Sequence, residues 1–276
     1  MAEVSPVVLR PPEAVRRPFR VSRAPVDGPL GAVVENLWSV EWALPPGASY
    51  EQEVLTHPCA HLTVEDGEVW VQGVVTRVFR RRLVGAGRVV GAKLRPAGLS
   101  ALTEVPPASV ADRRLPAREL LADPDGDGGP GGVRELVEAV DGAADREAGM
   151  AAMAAWLAAR APRRPAGAEL VDRAVELATA EPELARVDEL AARLGVSLRT
   201  LQRRFDRHLG VGPKWVLQRC RIQDALAGIE AGTDPDWAEL AVRLGFADQS
   251  HFVNTFTAMV GLPPGQYRRR APLDRP

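Results

Sequence analysis

The chain repeats itself once within its last hundred or so residues. Val187, Leu190, Ala191, Leu194 and Gly195 recur about fifty positions later as Trp237, Leu240, Ala241, Leu244 and Gly245. Glu189 and Arg193 recur as Glu239 and Arg243. After one inserted residue, Leu201 and Phe205 return as Phe252 and Phe256, and Gly210 and Pro213 return as Gly261 and Pro264. A repeat that keeps the apolar spacing, the glycines and the proline together restricts this region to two copies of one supersecondary unit. Val187 to Leu194 places apolar residues at i, i+3, i+4 and i+7, the stripe of a half-buried helix. Gly195 suits the left-handed conformation that ends a helix, and Ser197 is a good N-cap for the next one. In that next helix Leu201 and Phe205 point to the core, while Arg199, Gln202 and Arg203 fall on other faces. Helix, Gly turn, helix is the grammar of helix-turn-helix, whose second helix enters the DNA major groove.

Local charge agrees. From Arg199 to Arg221 the chain carries Arg199, Arg203, Arg204, Arg207, Lys214, Arg219 and Arg221 against Asp206 alone, a net charge of +6. Such a stretch reads as a phosphate-neutralising stripe, and the bland alternative is a solvated helix face. Over the whole chain the signal vanishes, with 35 basic and 36 acidic residues, so net charge names no partner.

The run from Gly245 to Arg268 carries Gly245-Phe246, Asp248, Ser250-His251-Phe252, Phe256, Gly261, Pro264 and Tyr267-Arg268. These positions resemble the signature of the AraC/XylS family of transcription regulators, and Leu190 to Gly210 resembles the family's first helix-turn-helix. The resemblance spans about Ala168–Arg270. It implies seven helices, a long one at about Pro213–Ala231 joining two units, and recognition helices in successive major grooves on one face of promoter DNA. Leu198, Arg199, Gln202 and Arg203 are then the expected first reading surface, with Arg204 and Arg207 beside them; Arg matches guanine and Gln matches adenine. Gln249, Ser250, His251 and Asn254 form the expected second surface. There the chain departs from its relatives, because the positions of Asn254 and Thr257 are usually basic in them. The second unit is therefore expected to bind phosphate weakly, and either to read bases through Asn254 or to contact RNA polymerase. His251 is expected chiefly to hold the turn.

Ahead of the repeat the pattern changes. Trp38, Val40, Trp42 and Leu44 alternate with Ser39 and Glu41, the period of a half-buried strand. Further strands are predicted at Glu53–Thr56, Ala60–Val64, Val69–Thr76, Val78–Leu83 and Val89–Leu94, between turn signals such as Glu65-Asp66-Gly67 and Gly85-Ala86-Gly87. Short, closely spaced strands from about Phe19 to Pro116 suggest a small barrel or sandwich. His57 to Leu62, Val71 to Gly73 and Val90 to Pro96 resemble the N-terminal domain of an actinobacterial-type subset of the family. In such regulators that domain is cupin-like and senses a ligand or dimerises. Trp38, Trp42 and Trp70 are candidates to line an effector pocket. Arg77, Arg80, Arg81 and Arg82 suit either an acidic ligand or a solvated edge. A strand through His57, Cys59 and His61 would turn all three to one face, as a metal requires, but Pro58 interrupts it; buried Cys59 and hydrogen-bonded histidines are the favoured reading.

A glycine-rich loop from Asp123 to Gly132 follows, and a calcium loop begun at Asp123 fails because Arg134 falls where the bidentate Glu belongs. Two alanine-rich helices, about Val133–Ala144 and Arg146–Ala161, lead to a linker at Ala161–Pro165. We expect an α+β chain in three parts: a β-rich domain over 1–122, a loop, helical pair and linker over 123–167, and an all-α double helix-turn-helix domain over 168–276. The helical pair is a candidate dimer interface or coupling element.

Two cysteines, Cys59 and Cys220, exclude a disulfide framework and a four-cysteine zinc site, and fit a reducing compartment. Neither a long apolar span nor a basic start followed by an apolar run occurs, which points to the cytoplasm. No cofactor is expected, and no nucleophile elbow, phosphate loop or zinc-protease helix occurs. The leading expectation is a sequence-specific regulator of transcription, an activator, contacting promoter DNA and RNA polymerase, with a small-molecule effector or homodimerisation as its control. An enzymatic cupin-like or repair domain fused to DNA-binding units is the first alternative; related repair regulators need several cysteines. A ligand-independent architectural protein is the second, and it requires an N-terminal domain without a cavity.

Overall fold

The computed structural model describes residues 7–8, 19–121, 132–160, 162–181, 183–232 and 235–270. The predicted loop at 123–131 lies outside them. Nine strands are described: β1 (Val7–Val8), β2 (Phe19–Pro25), β3 (Val34–Ala43), β4 (Ser49–Leu55), β5 (His61–Glu65), β6 (Glu68–Gln72), β7 (Phe79–Val84), β8 (Ala86–Leu94) and β9 (Arg114–Pro116). They form two antiparallel sheets. The larger has the order β2-β3-β8-β5-β6-β9, the smaller β1-β4-β7. The turn signal at Asp66-Gly67 is a two-residue hairpin joining β5 to β6, with both residues at positive φ. Gly85 is instead a corner, where the chain leaves the small sheet and enters the large one.

The large sheet buries both faces, for different reasons. Its outer face carries Leu37, Leu62, Val64, Val69, Val71, Val90 and Ala92, all in one core with Leu136, Val140, Met153, Trp156 and Leu157 of α1 (Val133–Asp141) and α2 (Arg146–Ala159). The helix approaches closely because residue 149 is Gly: a Cβ there would lie 3.2 Å from Val90. The apolar stripe of the helical pair is thus spent on the sheet, which removes that face from a dimer contact. The inner face looks across at the small sheet and encloses a cavity.

Seven helices follow: α3 (Ala168–Ala180), α4 (Val187–Arg193), α5 (Leu198–His208), α6 (Pro213–Glu230), α7 (Trp237–Arg243), α8 (Gln249–Val260) and α9 (Pro264–Arg270). The sequence repeat is a structural repeat. Gly195 and Gly245 have φ of 69° and 67°, and Gly210 and Gly261 both have φ of 81°. Ser197 caps α5 by accepting from the Thr200 amide, and Asp248 caps α8 by accepting from the His251 amide. Each unit has its own apolar core, and each core takes in residues of the β domain. Val74 and Ala97 pack with Leu190, Leu201 and Phe205, whereas Leu55 packs with Leu240, Phe252 and Phe256.

Candidate DNA interface and enclosed cavity

The outer side of α5 is the most cationic helical face in the first unit. Arg199, Arg203 and Arg207, each one turn from the next, are exposed, as are Gln202 and Leu198, the latter 42 % accessible at the helix start. The structure corrects the basic stripe read from sequence. Arg219 is 0 % exposed and Arg221 4 % exposed, so neither faces a phosphate. Arg221 donates to the carbonyls of Ala185, Leu244 and Gly245, tying the two units together. Arg204 is half-buried; it donates to the Ala166 carbonyl and covers Gly167 at the start of α3. Four cations of the seven remain in solvent: Arg199, Arg203, Arg207 and Lys214. In the second unit Gln249, Ser250 and Asn254 are exposed on α8. His251 stays at the turn, its ring edge-on to Phe246 at 5.3 Å and its Nδ1 3.5 Å from the Ala247 amide.

Arg219 marks the seam between the domains. Its Nε and Nη2 donate to the Thr56 carbonyl at 3.0 and 2.8 Å, and Nη2 reaches the Val75 carbonyl at 3.4 Å. Its guanidinium stacks over Trp215, 5.5 Å from the ring centroid. No carboxylate stands within ion-pair distance among the described residues, and burial pulls its pKa down to about 10. Elsewhere along the seam Asp172 of α3 accepts from the Ala97 amide at 2.9 Å, and Ser100 meets His208 at 3.1 Å.

One turn beyond Arg219, the Asp224 Oδ2 is buried without a hydrogen-bond partner among the described residues, and burial raises its pKa from the usual 3.8 to about 6. The folded state therefore holds this proton more tightly than the unfolded chain. Its stabilising effect is complete below about pH 4 and is lost as pH rises to about 6. Asp224→Asn should flatten the stability profile between those values. At pH 7.5 it should stabilise by about 1 kcal/mol, a discounted figure because solvent reaches the side chain. Urea midpoints at pH 4.5 and 7.5 check this; an equal shift at both overturns it.

The cavity between the sheets has a volume of about 240 Å³. Its wall is layered by strand register. Phe19, Trp42 and Gly87 make the first row, Val21, Val40 and Val89 the second, Arg23, Trp38, Gly91 and Thr63 the third, and Asn36, Lys93, His61 and Gln72 the last. Val54, Phe79, Leu83 and Arg81 face them from the small sheet. Thr56 and His57 close the polar end, and the Thr56 carbonyl is the one Arg219 holds. Glu65, 5 % exposed, bridges Arg81 and Arg114.

Trp38 and Trp42 line this cavity, whereas Trp70 lies outside its lining, with Arg114 stacked 4.4 Å over its ring. His57, Cys59 and His61 share no strand: Pro58 breaks the run, and β5 begins only at His61. Cys59 Sγ lies 3.7 Å from His61 Nε2, and the Trp38 indole N–H donates to His61 Nδ1 at 3.3 Å. Burial, then Lys93 and His57, hold the His61 pKa near 3, and burial raises Cys59 to about 12. His61 is thus a neutral hydrogen-bonded imidazole and Cys59 an unreactive thiol. Among the described residues no group of three His, Cys, Asp or Glu is placed to hold a metal ion. Arg81 turns into the cavity, while Arg80 pairs with Glu53 and Arg82 reaches Ser49. The sequence reading missed Lys93, Arg23, Thr63 and Asn36. It also missed Gly87 and Gly91, whose four-residue spacing mirrors that of Trp38 and Trp42.

The described residues form a β-rich domain with a cavity, packed on two tandem helix-turn-helix units. Residues 190–270 match a family model described as a helix-turn-helix domain, and residues 23–116 match one described as a domain of unknown function. The HTH-type transcriptional activator RhaS of Escherichia fergusonii is 33% identical over 82 residues, 30% of this chain and 29% of that protein. A putative AraC-like transcription regulator of Streptomyces lividans is 35% identical over 83 residues, 30% of this chain and 27% of that protein. Among solved structures, the DNA-binding domain of AdpA in complex with a target DNA is 33% identical, with a TM-score of 0.31 over 37% of this chain and 88% of that one. The chain spans less than a third of the length of these curated relatives. The likeness to these AraC-like regulators is confined to the helix-turn-helix region, residues 190–270. No helix among the described residues is long and apolar enough to cross a membrane.

Proposed function

We propose that the chain is a sequence-specific regulator that binds promoter DNA with α5 and α8 in successive major grooves and is controlled by a small molecule in the β-domain cavity. The observation that carries the reading is the seam. α6, which joins the two units, is hydrogen-bonded through buried Arg219 to Thr56, a wall residue of the cavity. A ligand that changes the set of Thr56 and His57 acts directly on the helix that fixes the spacing of the reading heads. Control then requires only that the ligand favour one arrangement over another. The cavity also speaks against the purely architectural reading, which needs a filled β domain. Activation, with RNA polymerase as partner, is the sense we propose, since the matched relative RhaS is named an activator. The matched relatives are transcription regulators, which favours a non-enzymatic role. Homodimerisation through a surface other than the α1–α2 stripe belongs to the same proposal, as does a cytoplasmic site of action.

Fluorescence anisotropy on the DNA upstream of the chain's own gene, against a shuffled duplex, tests this. Specific binding is expected to exceed non-specific binding by at least about 10³-fold. Equal affinity for both duplexes would falsify the proposal.

A further inference from the structure

We propose that the cavity takes a small aromatic acid, its ring laid on the Trp38 indole and its carboxylate turned to Asn36 and Lys93 one row away, with Trp42 flooring the far end of the space. This rests on the effector reading above and names the class of effector.

The indoles lie down rather than stand. Register pairs Trp38 with Gly91 and Trp42 with Gly87. A Cβ on Gly91 would come within 2.5 Å of the Trp38 ring, and one on Gly87 within 2.3 Å of the Trp42 ring. Each ring therefore rests one face on its glycine and turns the other to the cavity. Both are locked at the edge, Trp38 by His61 and Trp42 by the Val84 carbonyl at 3.1 Å. A side chain on either strand position would have filled this space; the paired glycines keep it open and flat. A planar ring stacks on such a floor.

The polar end supplies the rest. Asn36 and Thr63 are each 9 % exposed, line the cavity, and make no side-chain hydrogen bond among the described residues. Their polar atoms are therefore open to an occupant, which can bond them without breaking an existing side-chain hydrogen bond. Lys93, 7 % exposed, spends one N–H on Glu35 at 2.6 Å and has two more to offer. Four cationic side chains line the cavity against the carboxylate of Glu65, which Arg81 and Arg114 engage, and that of Glu35 beside Lys93, which leaves a net charge of +2. The occupant is thus an anion. At about 240 Å³ the space falls below the usual range for drug-sized ligands, which limits it to one or two rings. A sugar would set hydroxyls against Val21, Val40, Val54 and Leu83, where no partner waits. A fatty acid would forfeit the stacking.

The test is titration of the full chain with benzoate, indole-3-carboxylate and 2-naphthoate, read by tryptophan fluorescence and native mass spectrometry, beside octanoate and glucose. At least one aromatic acid is expected to bind once per chain, at least tenfold tighter than octanoate or glucose. Trp38→Leu and Lys93→Met should each weaken it at least tenfold. Lys93→Met should leave the neutral 2-naphthalenemethanol within threefold, a readout that mere misfolding would not give. Binding of octanoate or glucose in preference, with a change in DNA affinity, overturns the aromatic class and keeps effector control. Failure of every probe, with no bound mass on protein isolated from its host, overturns both.

Discussion

Arg219→Ala is expected to lower the melting temperature by roughly 6–12 °C and to abolish the influence of cavity ligands on DNA affinity. Arg219 is fully buried, and no carboxylate among the described residues stands within ion-pair distance of it. Removing it strips donors from the Thr56 and Val75 carbonyls and leaves a void over Trp215. Gln223 Nε2 still reaches the Thr56 carbonyl at 3.4 Å, so the loss comprises the two shorter bonds to Thr56, the donor to Val75 and the void, together about 3 kcal/mol. In proteins somewhat smaller than this one each kcal/mol moves the midpoint by about 2–4 °C. Arg219→Met separates the causes. It keeps the aliphatic stem and removes the desolvated charge, so its loss should be only about 1 kcal/mol. Its uncoupling of ligand from DNA should nevertheless be as complete as that of the alanine variant, because neither side chain bonds to Thr56. Calorimetry gives the first quantity and DNA titration with and without ligand the second. A methionine variant that keeps its ligand response would place the coupling elsewhere along the seam.

The helix-turn-helix half was legible because its constraints are local. A left-handed Gly195, a Ser197 cap and apolar residues at helical spacing act within one unit, and the repeat doubles the signal. The strand carrying Trp38 and Trp42 was legible for the same reason, since period 2 is a property of neighbours. Which sheet a strand joins is not. Nothing near Gly85 distinguishes a hairpin from a corner, and β9 is too short to show a period. The fate of each arginine was the least legible. Arg219 and Arg221 look like members of a basic stripe because a sequence records charge and not depth. Only the packing of α6 against the β domain and the second unit decides that they bond carbonyls. The cavity floor was half visible: the tryptophans stood out, but the glycines that lay them flat are about fifty residues away on a neighbouring strand.

The burial of those arginines changes what DNA binding should look like. Had all seven cations faced phosphate, the first unit alone would give a slope of log affinity against log salt near −6; with four exposed it should not exceed about −3.6. α8 carries no Arg or Lys, so that helix itself adds little to the slope. Within the first unit the roles should divide along α5. Arg203 sits mid-helix beside Gln202, where a guanidinium reaches guanine O6 and N7, and Arg203→Ala should weaken specific binding by about 1–3 kcal/mol and relax the operator at one position. Arg207 lies one turn on, near the C-terminal end, where a side chain meets the backbone rather than the base edges. Arg207→Ala should weaken binding to every duplex alike and reduce the slope by about one. Anisotropy across a salt series, on the operator and on single-position variants of it, reads both. If Arg203→Ala lowers affinity equally for all duplexes, it is a phosphate contact, and base reading by the first unit then falls to Gln202 and Arg199.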